Sequence, residues 1–248
     1  MENELFDLAV QAALRVPPKN VIGTKTEHCI HAALKYYFQP CDTFHEIKLD
    51  GFICDATDVN QNEVFEIQTK AFDKLRKKLE ILLASHPVTV IHPIITEKRL
   101  ITIYDADGQT TVRKSPKKHS LAETAEQLNK IKSYLSNPNL HIVFAFLKVD
   151  ETRIFSGSKD ARKPFQKPVS VQKVPTELLK TENVVYPDFY ISLLPDSLQE
   201  SFTSSDLATQ SGISRSDAQY LLYLLNELGF VKRTDRDKRG YIYVRANP

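Results

Sequence analysis

Cysteine is scarce and poorly placed for crosslinking. Only Cys29, Cys41 and Cys54 occur, an odd number at wide spacing with no CxxC pair. That argues against a disulfide framework or a zinc site and fits a reducing cytoplasm. Long apolar runs are missing too: no stretch approaches the ~18 residues needed to span a membrane. The first residues, Met1-Glu2-Asn3-Glu4, are acidic and lead into no apolar run, so no signal peptide is expected. Nor does charge of one sign dominate. The formal net charge is +2, which creates no overall basic field, so any case for nucleic acid must rest on local clusters. Repeats and low-complexity tracts are absent. What remains is ordinary globular material, 42% hydrophobic and 26% charged over 248 residues, enough for a core in one or two domains.

Periodicity orders the first part of the chain. Residues 2–15 read as an amphipathic helix with Leu5, Leu8, Ala9 and Ala12 on one face, stopped by Pro17-Pro18. A second helix spans 24–38, opened by a Thr24-x-x-Glu27 capping box and ended by Pro40. Strands are expected at 44–49, 52–57 and 64–69, the first two joined by a tight turn at Asp50-Gly51. A helix at 72–85 and a strand at 88–93 follow, separated by Pro87. Beyond these come a hairpin at 99–104 and 110–114, a helix at 121–135 and an apolar strand from 140 towards Phe155. Residues 156–170, with Gly, Ser, Pro and Lys, read as a linker, and 171–200 carry no clear pattern.

The third strand carries the chemistry. Alternation sends Phe65 and Ile67 one way and Glu66 and Gln68 the other. A carboxylate in an apolar strand is costly unless it is paired or holds a metal. Asp55, between Cys54 and Ala56, poses the same question one strand earlier. If the two strands pair antiparallel, Asp55 and Glu66 converge, and a divalent cation such as Mg²⁺ or Mn²⁺ relieves their repulsion.

With these residues in that order, the αβββαβ succession over about residues 20–95 resembles the core of the PD-(D/E)XK phosphodiesterases, which include restriction endonucleases, Holliday-junction resolvases and phage exonucleases. The family pattern is an Asp ending the second strand and a (Glu/Asp)-x-Lys in the third. Asp55 matches the first, and Glu66-Ile67-Gln68 matches the second with Gln in place of Lys. The resemblance implies Asp55 and Glu66 as catalytic and metal-holding residues, with Gln68 or Lys70 in the lysine's role. It also implies Glu27, in the first core helix, as a further metal ligand. The residues admit plainer readings. Glu27 closes the capping box, Asp55 suits a turn, and Lys74, Arg76, Lys77 and Lys78 suit a solvated helix face. His28, His31 and His45 lack ligand spacing and read as ordinary histidines.

From Thr203 the pattern sharpens again. Thr203 and its neighbours open a helix, Gly212-Ile213-Ser214 is a tight turn, and a second helix runs to Leu228 with Gly229 closing it. Residues 231–233 and 241–244 then alternate as a hairpin. This resembles the winged helix-turn-helix of prokaryotic regulators. The resemblance implies base contacts from Ser214, Arg215, Ser216 and Gln219, and phosphate contacts from Lys232, Arg233, Arg236, Lys238 and Arg239. A winged helix used for protein contacts is the plainer alternative, and Tyr220 and Tyr223 suit packing.

The expected protein is therefore α/β. Residues 1–155 form a restriction-endonuclease-like domain with a mixed sheet, 156–200 a linker followed by an unassigned segment, and 201–248 a winged helix-turn-helix. The expected activity is Mg²⁺- or Mn²⁺-dependent cleavage of DNA, with RNA left open as substrate. The competing expectation is a DNA-binding regulator whose nuclease-like fold no longer cuts. No membrane partner is expected, and a homodimer is left open.

Overall fold

The computed structural model describes residues 2–16, 25–104, 108–116, 121–155, 167–238 and 240–246. It is a mixed α/β protein with a mixed sheet. Helices α1 (Glu2–Arg15) and α2 (Lys25–Phe38) lead into β1 (His45–Leu49), β2 (Phe52–Thr57) and β3 (Val64–Ile67). Then come α3 (Arg76–Leu82), β4 (Val88–Tyr104), β5 (Thr110–Lys114), α4 (Leu121–Asn129) and β6 (Leu140–Phe155). The C-terminal part holds β7 (Val169–Val184), α5 (Asp188–Ser192), β8 (Ser201–Thr203), α6 (Ser204–Ser211), α7 (Arg215–Glu227), β9 (Val231–Asp237) and β10 (Gly240–Arg245).

The large sheet has the order β1-β2-β3-β4-β6-β7, with β5 paired to β4. The turn from β1 to β2 places Asp50 at φ 45 and Gly51 at φ 84, the two positive values that a tight hairpin requires. Between β3 and β4 the chains run alongside in one direction: Glu63 meets Thr89, and the Gln68 N–H donates to the Ile91 carbonyl at 2.9 Å. In a parallel ladder the residue two places after that acceptor would donate back to Gln68. That residue is Pro93, which has no N–H, and the His92 ring donates from Nδ1 to the Gln68 carbonyl at 2.6 Å instead. Pro93 therefore does not end the strand, and β4 runs on through both segments that the sequence reads as separate strands.

The chain forms two compact units whose segments interleave. The first comprises residues 1–69, 89–119 and 143–182, and the second 70–88, 120–142 and 183–248. In the first unit, Phe6, Val10, Ile30, Ala33 and Leu34 of the helices pack with Ile67, Ile91, Ala145, Leu147 and Leu178 of the sheet. The buried stripe of α1 is Phe6, Ala9, Val10 and Ala13, one position round from the face read in the sequence; Leu5 and Leu8 are exposed. Phe6 is the bulkiest apolar side chain of the helix and sets the stripe that faces α2.

In the second unit, the core draws on Leu79, Leu82, Leu128, Ile131, Leu207, Leu221 and Leu225. Helix α6 starts with a capping box between Thr203 and Asp206, and Ser214 caps α7 by accepting from the Asp217 N–H. Gly212 (φ 64) and Gly229 (φ 84) take the left-handed conformation that ends each helix. Strands β8, β10 and β9 form a three-stranded antiparallel sheet in that order. Residues 169–184, which the sequence reads as the end of the linker and the start of the stretch without a clear pattern, are a strand; residues 156–166 of the expected linker lie outside the described residues.

Candidate functional site

The turn between β2 and β3 is built on Asp58. Its carboxylate accepts the backbone N–H groups of Asn62 (2.6 Å), Glu63 (2.9 Å) and Asn60. These bonds, that of Glu63 foremost, hold the Asp58 pKa below the usual carboxylate value. The turn fixes the register, pairing Thr57 with Val64 and Ala56 with Phe65. One step further along, Asp55 stands opposite Glu66.

There the backbone ladder gives way to side chains. The Asp55 N–H donates to Glu66 Oε1 at 3.3 Å, and the Ile67 N–H donates to Asp55 Oδ2 at 2.9 Å. Each carboxylate thus bridges to the backbone of the opposite strand, and the two sequence-predicted acids are brought together. Glu66 is 4% exposed. The register between β1 and β2 sets Glu46 opposite Asp55, so three acidic positions lie in one row across the strands.

Helix α2 faces this row with basic groups. His31 Nε2 lies 3.1 Å from Asp55 Oδ2, and Lys35 Nζ lies 3.5 Å from Glu46 Oε1. His28, His31, Lys35 and His45 line one cleft of about 440 Å³ with Asp55 and Glu46. Burial pushes the His45 pKa down, and its Nε2 donates to the Gln39 carbonyl. In the sequence these histidines read as ordinary ones. The usable signal there is the i, i+3, i+7 spacing of His28, His31 and Lys35, which puts them on one helix face.

Other expected site residues are placed less centrally. Strand β3 stops at Ile67, so Gln68 follows its end, and Lys70 is exposed in the bend beyond, within the other compact unit. The side chain of Glu27 lies outside the described residues. Among the described residues no group of three or more His, Cys, Asp or Glu is arranged to hold a metal.

A basic groove of about 450 Å³ occupies the second unit between α7 and the β9–β10 hairpin. Arg215, Gln219, Arg233, Arg236 and Lys238 line it, with Tyr241 and Tyr243. Of the other expected contacts, Ser214 is occupied as a helix cap, Ser216 and Lys232 are exposed, and Arg239 lies outside the described residues. Tyr223, 42% exposed, also lines this groove and carries Lys132 over its ring at 4.3 Å.

Residues 28–185 match the family model described as "Domain of unknown function (DUF8091)", and the chain belongs to that family. It is 30% identical over 226 residues to an uncharacterized protein of Treponema pallidum (strain Nichols), covering 88% of this chain and 84% of that one. No solved structure matches the chain. Asp55, Glu66 and the α2 cleft fall inside the family match, and the basic groove falls outside it. No helix among the described residues is long and apolar enough to cross a membrane.

Proposed function

We propose that the protein is a metal-dependent phosphodiesterase acting on DNA, with a restriction-endonuclease-like core and a C-terminal winged helix that contacts the substrate. The observation that carries this reading is the bridged pair Asp55–Glu66, held between two strands that part around it. The helix–strand–strand–strand–helix–strand order around the pair supports it. So does the helix–turn–helix–hairpin order of residues 204–245.

The donor set fits a hard divalent cation. Mg²⁺ needs only one or two carboxylates when water and substrate phosphate complete its shell, so a pair suffices. Asp55 and Glu66 would hold Mg²⁺ or Mn²⁺, with Glu27 as the expected further ligand. Such a cation would supply activation of a water and offset the charge that builds on the phosphate. The chain's own residues do the positioning. The Ile67 N–H and His31 fix the Asp55 carboxylate, and the Asp55 N–H fixes that of Glu66. Gln68 supplies no positive charge. Lys35 lines the same cleft as Asp55, where its ammonium faces Glu46.

The second reading is a DNA-binding regulator without cleavage, favoured by Gln68 and by the structural use both carboxylates already have in joining β2 to β3. Incubation of the purified chain with linear, single-stranded and branched DNA separates the two. The enzyme cuts at least one substrate with Mg²⁺ or Mn²⁺ and is stopped by EDTA. Binding without cutting on all three supports the regulator.

A further inference from the structure

The hairpin beside α7 contains a register device. Strand β9 pairs Arg236 with Tyr241 and Asp235 with Ile242, but Arg233 with Tyr243, so Thr234 is an extra residue, a β-bulge. Without it, Arg233 and Arg236 would point to opposite faces, because they are three positions apart. With it, both arginines share the face of Tyr241 and Tyr243.

Both rings there have arginine against them, and Tyr243 is buried. The Arg233 guanidinium lies 3.7 Å from the Tyr241 ring centroid and 5.9 Å from that of Tyr243, and Arg236 lies 5.2 Å from Tyr241. Tyr241 itself remains 40% exposed. It holds two guanidinium planes that line the groove. Both arginines are exposed, and among the described residues neither guanidinium is bonded to a carboxylate. A guanidinium laid on a ring loses less conformational freedom when it meets an anion, and its fork of N–H donors suits phosphate oxygens.

We propose that Tyr241 is the platform of a two-arginine clamp, Arg233 and Arg236, that grips the phosphate backbone of DNA irrespective of base sequence. This rests on the DNA-binding part of the proposed function and names the chemistry that part reads. A clamp for phosphates contributes equally to every sequence and adds about 0.9 to the salt slope of log K for each phosphate neutralised.

The test is fluorescence anisotropy of the full chain against three duplexes of equal length and unrelated sequence, over a range of salt. Tyr241→Leu is expected to weaken binding about tenfold, by the same factor for all three, and to flatten the salt slope by one to two phosphates' worth. Tyr241→Phe, which keeps the ring, should bind as the wild type does. The exposed double variant Arg233→Gln with Arg236→Gln should reproduce the Tyr241→Leu result without touching the core. Unchanged affinity in the double variant overturns the clamp, as does a loss confined to one sequence. A wild-type chain that binds none of the duplexes overturns the clamp together with the DNA reading. Metal-dependent cleavage, measured separately, reports on the Asp55–Glu66 site alone.

Discussion

Glu66→Ala is expected to remove metal-dependent cleavage of DNA, lowering the rate on the order of 10²-fold or more, and Asp55→Ala to do the same. Glu66 is almost fully buried, and its carboxylate contacts one backbone donor from the facing strand. A buried carboxylate at such a spot either braces the strands or holds a cation, and cleavage discriminates. Glu66→Gln makes the comparison sharp. It keeps the side chain's length and an oxygen for the Asp55 N–H, so the strand contact survives while the charge that would hold the cation is gone. Loss of cutting in Glu66→Gln, with DNA affinity and the circular dichroism spectrum unchanged, supports the enzyme. Full cutting by Glu66→Gln contradicts it.

The second large effect is on stability. Glu151 on β6 is 3% exposed, with Lys98 Nζ at 2.9 Å and Arg153 Nε at 2.7 Å. Burial pushes its pKa up, but the hydrogen bonds from Arg153 and Lys98 and the Lys98 charge outweigh that and pull it to about 2. A folded-state value depressed from the ordinary 4.5 means that the carboxylate stabilises the fold above about pH 4.5. The contribution is lost as pH falls through about 2. The shift corresponds to about 3 kcal/mol. Thermal unfolding of the first compact unit should move down steeply between pH 5 and pH 2. Glu151→Gln should lower the midpoint at neutral pH by roughly 6–10 °C and flatten its dependence in the acid window. A variant as stable as the wild type at neutral pH, with the same acid slope, would contradict this account of the ion cluster.

Much of the candidate site was legible because its determinants are local. Asp50-Gly51 fixes one hairpin and sets Glu46 opposite Asp55, and the Asp58 turn sets Asp55 opposite Glu66, both without help from distant residues. The C-terminal helices were legible for the same reason: Thr203, Ser214, Gly212 and Gly229 mark their ends. What escaped the sequence depends on partners far along the chain. Strand β7 is half exposed, and its partner β6 ends before the linker, so no periodicity announces it. Pro93 suggests a strand end, and only the fold reveals that the His92 ring takes over the donor role proline lacks. His31 reads as an ordinary histidine until α2 is laid beside β2. The bulge at Thr234, which turns Arg233 towards Tyr241, has no mark in the sequence.

The central claim is that Asp55 and Glu66 together hold a divalent cation, and titration of the full chain with Mn²⁺ alone, followed by calorimetry and electron paramagnetic resonance, tests it without DNA. The account predicts a single Mn²⁺ per chain, displaced by excess Mg²⁺ and lost in both Asp55→Asn and Glu66→Gln, with folding intact in each. Mn²⁺ binding that persists undiminished in both variants, or a wild-type chain that binds none, would contradict it.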